Sequence, residues 1–240
     1  MQLIDLLLLP IYFAIIYFIA FRIKSGRYSD AIYQRYFIRG LHYKLFGALG
    51  YALIYLLYYK GGDSINYYLA SKPLYNLAFD SPERYFEFVT NPLSAYPQEC
   101  WYFTWANSVD FLLRTNATLT VIRISSLINL ICFDSYVTCC IVASFFSYLF
   151  IFKTFRLFVS IYPPLEKEFA VAFLMIPSVI FWGSGLGKDV IMFSGIMYSV
   201  ACYYEVFILK KNVISNILKL LFTAYIISLV RGFIIITLAP

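Results

Sequence analysis

The sequence predicts an all-α fold: a polytopic helical membrane protein with about six transmembrane helices and an external loop that carries short or re-entrant helices. Three observations predict it. Hydrophobic residues fill 62% of the 240 positions and charged residues 13%, where a soluble domain is about half apolar and about a quarter charged. Apolar runs of near membrane-spanning length recur along the chain, against the roughly 20 residues that cross the hydrocarbon. Aromatic residues reach 21%, and tyrosines at the ends of apolar runs suit the membrane interface.

The first span is Leu3–Phe21, with Pro10 expected to kink it. It has no basic leader and no small-residue cleavage site, so it reads as a retained span rather than a signal peptide. The stretch from Arg22 to Lys44 holds six basic residues and one acid, Asp30, and is the strongest cytoplasmic signal in the chain. Span two is about Leu45–Tyr59, starting as early as Leu41, with Gly47 and Gly50 placed for close helix approach. An external loop, residues 60–134, follows. In it SPERYFEFV predicts a short helix with Ser81 as its cap, and WYFTWANSVDFLL has helical spacing that suits the interface.

Thr118–Phe133 is apolar but short, and either crosses or lies on one side. The positive-inside rule decides for the second. The later spans are then Tyr136–Phe152, Phe169–Phe181, Val190–Phe207 and Ile214–Val230. This places 12 of the 19 Lys and Arg inside (Arg22 to Lys44, Lys153 to Lys167, Lys210 to Lys219) and 7 outside. Asp63, Lys188, Asp189, Arg231 and Arg123 all fall on the external face. The chain reads as a single transmembrane domain over 1–240. Its last residues open a fresh apolar run, which predicts an N-terminal fragment of a longer protein.

The net charge of +6 marks topology and attraction to anionic lipid, not nucleic-acid binding. His42 is the only histidine and no CxxC spacing occurs, so no metal site is predicted. Most cysteines read as small core residues, and Cys100 as a free thiol in a polar loop.

Two clusters carry candidate chemistry. Gly61-Gly62-Asp63 follows span two, with Tyr67 and Tyr68 beyond it. Asp63 is either a carboxylate aimed at a substrate hydroxyl or the cap of the next helix. Trp182 to Asp189, WGSGLGKD, is a glycine-rich turn into a helix. It lacks the Ser or Thr and the preceding strand of a nucleotide phosphate loop. It still presents N–H groups to an anion, with Trp182, Ser184 and Lys188 beside them. Asp189 either contacts substrate or caps the helix and pairs with Lys188. Arg123 and Arg231 lie in apolar surroundings, where a guanidinium stays charged and suits phosphate. Their alternatives are snorkelling for Arg231 and a salt bridge to Asp134 or a loop acid for Arg123.

These motifs carry a resemblance. PSxxFWGSGxxKD at Pro177–Asp189, the Tyr162-Pro163 to Lys167 segment and the GGD loop with Tyr67-Tyr68 resemble bacterial membrane proteins of envelope-glycan assembly. The similar groups are GT-C-type glycosyltransferases that use polyprenyl-phosphate sugars and polysaccharide polymerases of the Wzy/EpsG type. The resemblance implies glycosyl transfer at the outer face of the bacterial inner membrane from a lipid-linked sugar or oligosaccharide. In it Asp63 is the catalytic base, and Lys188 or Arg231 holds phosphate. Arg123, Asp189, Ser184, Trp182 and Tyr67 complete the substrate-binding set. No cofactor is implied, and a divalent metal is compatible but not demanded. The chain departs from the GT-C pattern in placing a lone acid after the second span. The competing classes are a lipid-linked glycan flippase and a non-catalytic membrane subunit.

Overall fold

The computed structural model describes residues 3–234. Among them every regular element is helical. In chain order they are α1 (Leu3–Arg27), α2 (Ala31–Leu53, extended by a π-helical turn Ile54–Tyr59), α3 (Asp63–Asp80), α4 (Pro82–Thr90), α5 (Trp101–Ala106), α6 (Asn116–Ile131), α7 (Tyr136–Ile161), α8 (Glu166–Ala170, extended by a π turn Val171–Met175), α9 (Pro177–Trp182), α10 (Lys188–Phe207) and α11 (Val213–Arg231).

Four of these helices, α1, α7, α10 and α11, are long and apolar enough to cross a membrane. The other two expected spans take different forms. The second lies inside α2, which starts at Ala31 and carries Arg35, Arg39 and Lys44 on the helix itself, so it is long but less apolar. The fourth is interrupted, because Ile176 is extended and Pro177 opens α9. A proline cannot continue the preceding helix, and it disfavours the α conformation in the residue before it. Pro10, by contrast, sits inside α1 without ending it. The apolar run expected at the C-terminus falls mostly on residues 235–240, outside the described residues.

α7 is the central helix, with 78% of its most apolar window buried, against 17% for α1. Lipid is as apolar as leucine, so close packing rather than the hydrophobic effect must hold such a bundle. Aromatic contacts supply much of it. Phe37 of α2 sits edge-on to Phe152 of α7 at 4.9 Å, and Tyr28 lies 5.1 Å from Phe37. Gly47 admits Ile180 of α9 where a side chain would clash, whereas Gly50 faces open space.

One end of the bundle gathers basic residues. There Arg35 pairs with Glu166 at 2.9 Å, Lys153 pairs with Glu205 at 2.7 Å, and Arg156 lies over the Tyr28 ring. The opposite end gathers the starts of α1, α3, α7 and α10. There Ser135 donates to Asp5 at 2.6 Å and Tyr136 donates to Ser64 at 3.1 Å. That second contact decides the path of the segment between them. The chain leaves α2 near Ser64 and returns beside Ser64 at Tyr136, so residues 64–136 begin and end at the same end of the bundle. α6 has 16 residues, about 24 Å of helix, short of the roughly 30 Å hydrocarbon core.

The segment from Ser64 to Tyr136 shares a core with α10 and α11. Tyr85, Phe88 and Tyr96 are buried with Leu74, Ile122, Met192 and Ile227. Cys100 is buried there too, so the thiol expected in a polar loop is a core residue, and burial pushes it up to about 11. The other cysteines are also buried and unbridged. Ser81 occupies the N-cap position of α4, as expected, but makes no side-chain cap bond. The Trp101–Arg114 stretch is a short helix followed by a 3₁₀ turn at Asp110–Arg114 rather than one interfacial helix.

Candidate functional site

The site is built round the turn between α9 and α10. Proline opens α9 and Gly183 closes it, so the helix has only six residues. Three helices then clamp the turn. Lys44 of α2 donates to the Gly183 carbonyl. Ser144 of α7 accepts the Gly185 N–H at 3.1 Å. Ser64 of α3 accepts the Leu186 N–H at 3.2 Å. The last bond matters most for function, because Ser64 adjoins Asp63 and Leu186 lies two residues before Lys188. The GGD loop and the WGSGLGKD turn are therefore in contact through residues 122 positions apart in the chain.

Gly185 has φ +83°, and a Cβ there would strike the Tyr51 ring. Only glycine adopts such a backbone without strain. Gly185→Ala is expected to destabilise the protein by about 2 kcal/mol, from left-handed strain and crowding together. The thermal midpoint of the purified protein in detergent checks this. An unchanged midpoint would mean that the turn relaxes freely.

Asp63 is the first residue of α3, with Gly62 in the cap position at φ +101°. Asp63 is exposed and is not itself the cap. Asp189 likewise lies inside the first turn of α10, capped by Gly187, and pairs with Arg231 at 2.9 Å rather than with Lys188. This pair ties the start of α10 to the end of α11. It uses one guanidinium nitrogen, and the other nitrogens of Arg231 have no protein partner among the described residues. Lys188 forms no ion pair among the described residues.

Tyr67 links these groups. It is buried, and burial pushes its phenol up to about 12. The fields of Asp63 and Asp189 push the same way, and that of Arg231 opposes them. One phenol thus senses two carboxylates and a guanidinium from three different helices. Beside them a cavity of about 450 Å³ is lined by Ser178, Trp182, Gly183, Asp189 and Arg231. Trp182 is exposed at this wall.

Two residues of the expected set stand apart. Ser184 is buried and donates to the Ile180 carbonyl at 2.6 Å, so its hydroxyl is committed to α9. Arg123 is buried within the segment 64–136, where Nε donates to the Phe88 carbonyl and Nη2 to the Ser94 carbonyl, both at 2.7 Å. It also lies 4.5 Å from the centre of the Phe88 ring. Asp134, considered above as its partner, instead pairs with Lys72 at 2.9 Å and accepts from Tyr68 and Asn129.

The sequence reading missed Ser64, Ser144 and Lys44 as supports of the turn. Ser64 had a signal, its place beside Asp63. Lys44 had one too, a lone cation in the run Leu41–Leu49 at helical spacing. Ser144 had none. No group of three His, Cys, Asp or Glu side chains gathers as a metal set among the described residues. Compared with protein-family models, with curated proteins and with solved structures, the chain matches none.

Proposed function

We propose that the protein is a membrane glycosyltransferase, or a polysaccharide polymerase of the same chemistry, acting on a polyprenyl-phosphate-linked sugar at the outer face of the bacterial inner membrane. The single observation that carries this reading is the contact of the Asp63 loop, through Ser64, with the turn before Lys188 and Asp189, where the Asp189–Arg231 pair lines an open cavity. In this reading the interrupted segment 163–182 and α2 with its π turn complete six crossings. The basic end faces the cytoplasm by the positive-inside rule, and Asp63 faces out.

The groups match the chemistry. The Asp63 carboxylate takes the proton of an acceptor hydroxyl as that oxygen attacks the anomeric carbon. The bond from that carbon to the phosphate oxygen breaks, and the phosphate leaves with the electron pair. Arg231 and Lys188 stabilise the departing charge, and Asp189 holds the guanidinium in place. A lipid chain has room nearby. An apolar cavity of about 550 Å³ between α6, α7, α10 and α11 runs from Gly185–Gly187 past Phe146, Val190 and Phe222.

The experiment is transfer by the purified protein in liposomes. A polyprenyl-phosphate sugar with a mixed glycan acceptor should yield free polyprenyl phosphate and an extended glycan. Lipid-linked sugar that crosses the bilayer with no bond broken would favour a flippase, the reading to which the interrupted α9 also lends itself.

A further inference from the structure

The buried lysine behind the turn has no carboxylate partner among the described residues. Lys44 lies midway along α2, well inside the bundle, and is 4% exposed. Its hydrogen-bond partner among the described residues is one carbonyl, that of Gly183, to which Ser147 also donates at 3.5 Å. A neutral amide would serve that carbonyl as well. A buried charge is costly unless it is paired, and buried charges in a membrane mark functional sites. Gly183 both touches Lys44 and lines the open cavity, and it has no side chain to stand between them. A Cβ on Gly183 would lie 2.9 Å from the ammonium.

We infer that the missing counter-charge arrives with the ligand: Lys44 is a further anion-binding residue that, across Gly183, helps hold a phosphate group in the cavity lined by Trp182, Asp189 and Arg231. The inference rests on the lipid-phosphate reading above and adds a third cation to Lys188 and Arg231. Lys44 differs from those two in depth. It approaches the phosphate from the bundle interior, where water screens it least.

Binding of farnesyl phosphate to the purified protein in detergent tests this, with farnesol and inorganic phosphate in parallel. Wild type should bind the phosphate ester and not the alcohol. Lys44→Met should bind it about 10- to 100-fold more weakly, the loss of one buried positive charge acting across Gly183. Its ligand-free thermal midpoint should be equal to or higher than that of wild type, because a buried unpaired charge has gone. A merely structural lysine would lower that midpoint and leave the affinity of the folded fraction alone. Lys44→Gln keeps a donor for Gly183 and loses the charge. It should bind as weakly as the Met variant, and keeps the test valid if the Met variant does not fold. Binding of inorganic phosphate that Lys44→Met also loses supports the inference. A response to the lipid ester alone names the headgroup as the source. Wild-type affinity in the Gln variant, or no binding by wild type, overturns it. An Asp63→Ala protein with full transfer activity and intact phosphate binding would fault the catalytic reading and leave this one standing.

Discussion

Asp63→Asn is expected to lower glycosyl transfer by about 10²- to 10⁴-fold, the range over which a positioned general base acts, while insertion and thermal midpoint stay at wild-type values. The substitution is isosteric, and Asp63 is exposed, so no packing is lost. Its backbone place at the first turn of α3 is set by Gly62 and by the Ser64 contact, neither of which uses the carboxylate. What disappears is a proton acceptor at the mouth. The rate at saturating donor and acceptor should fall, with little change in donor affinity, since the proposed phosphate contacts lie on other residues. Asp63→Glu, which restores the acceptor one bond further out, should recover part of the rate. Full activity in the Asn variant would remove the catalytic assignment.

Arg123→Met is expected to do the reverse: large loss of stability, little loss of chemistry per folded molecule. The guanidinium bridges the end of α4 to the Ser94 turn through two buried carbonyls and covers the Phe88 ring. Methionine keeps the apolar stem and leaves both carbonyls without their donor. Charge-assisted bonds in a buried place are worth enough that the expected cost is about 3–5 kcal/mol. A chain of this size should then melt roughly 6–20 °C lower. Thermal melting in detergent reads the first effect, and transfer rate per folded molecule reads the second. A stable variant with weakened phosphate binding would return Arg123 to the substrate site.

The pair of predictions separates two arginines that look alike in sequence. Arg123 and Arg231 are each a lone guanidinium in an apolar run. Arg231 ends its helix at the mouth, with two nitrogens unengaged by protein among the described residues. Arg123 faces inward from the middle of α6 and spends Nε and Nη2 on its own chain, with Nη1 buried and without a hydrogen-bond partner among the described residues. Nothing local to either residue distinguishes these fates. Partners 29 and 35 residues away decide one, and a partner 42 residues away decides the other.

The sequence by itself determined the helical membrane class, because apolar content and run length depend on nothing beyond the chain. It also located the two glycine-bearing loops, since a left-handed turn such as that at Gly62 or Gly185 leaves a compositional trace. Tertiary structure alone decided that those loops touch, that Asp189 chooses Arg231 over its neighbour Lys188, and that Lys44 belongs to the bundle interior rather than to the basic stretch that begins at Arg22. The physical reason is that a charge is placed by its partners and its burial. Both are set by helices that approach from distant parts of the chain, so hydropathy along the sequence cannot report them.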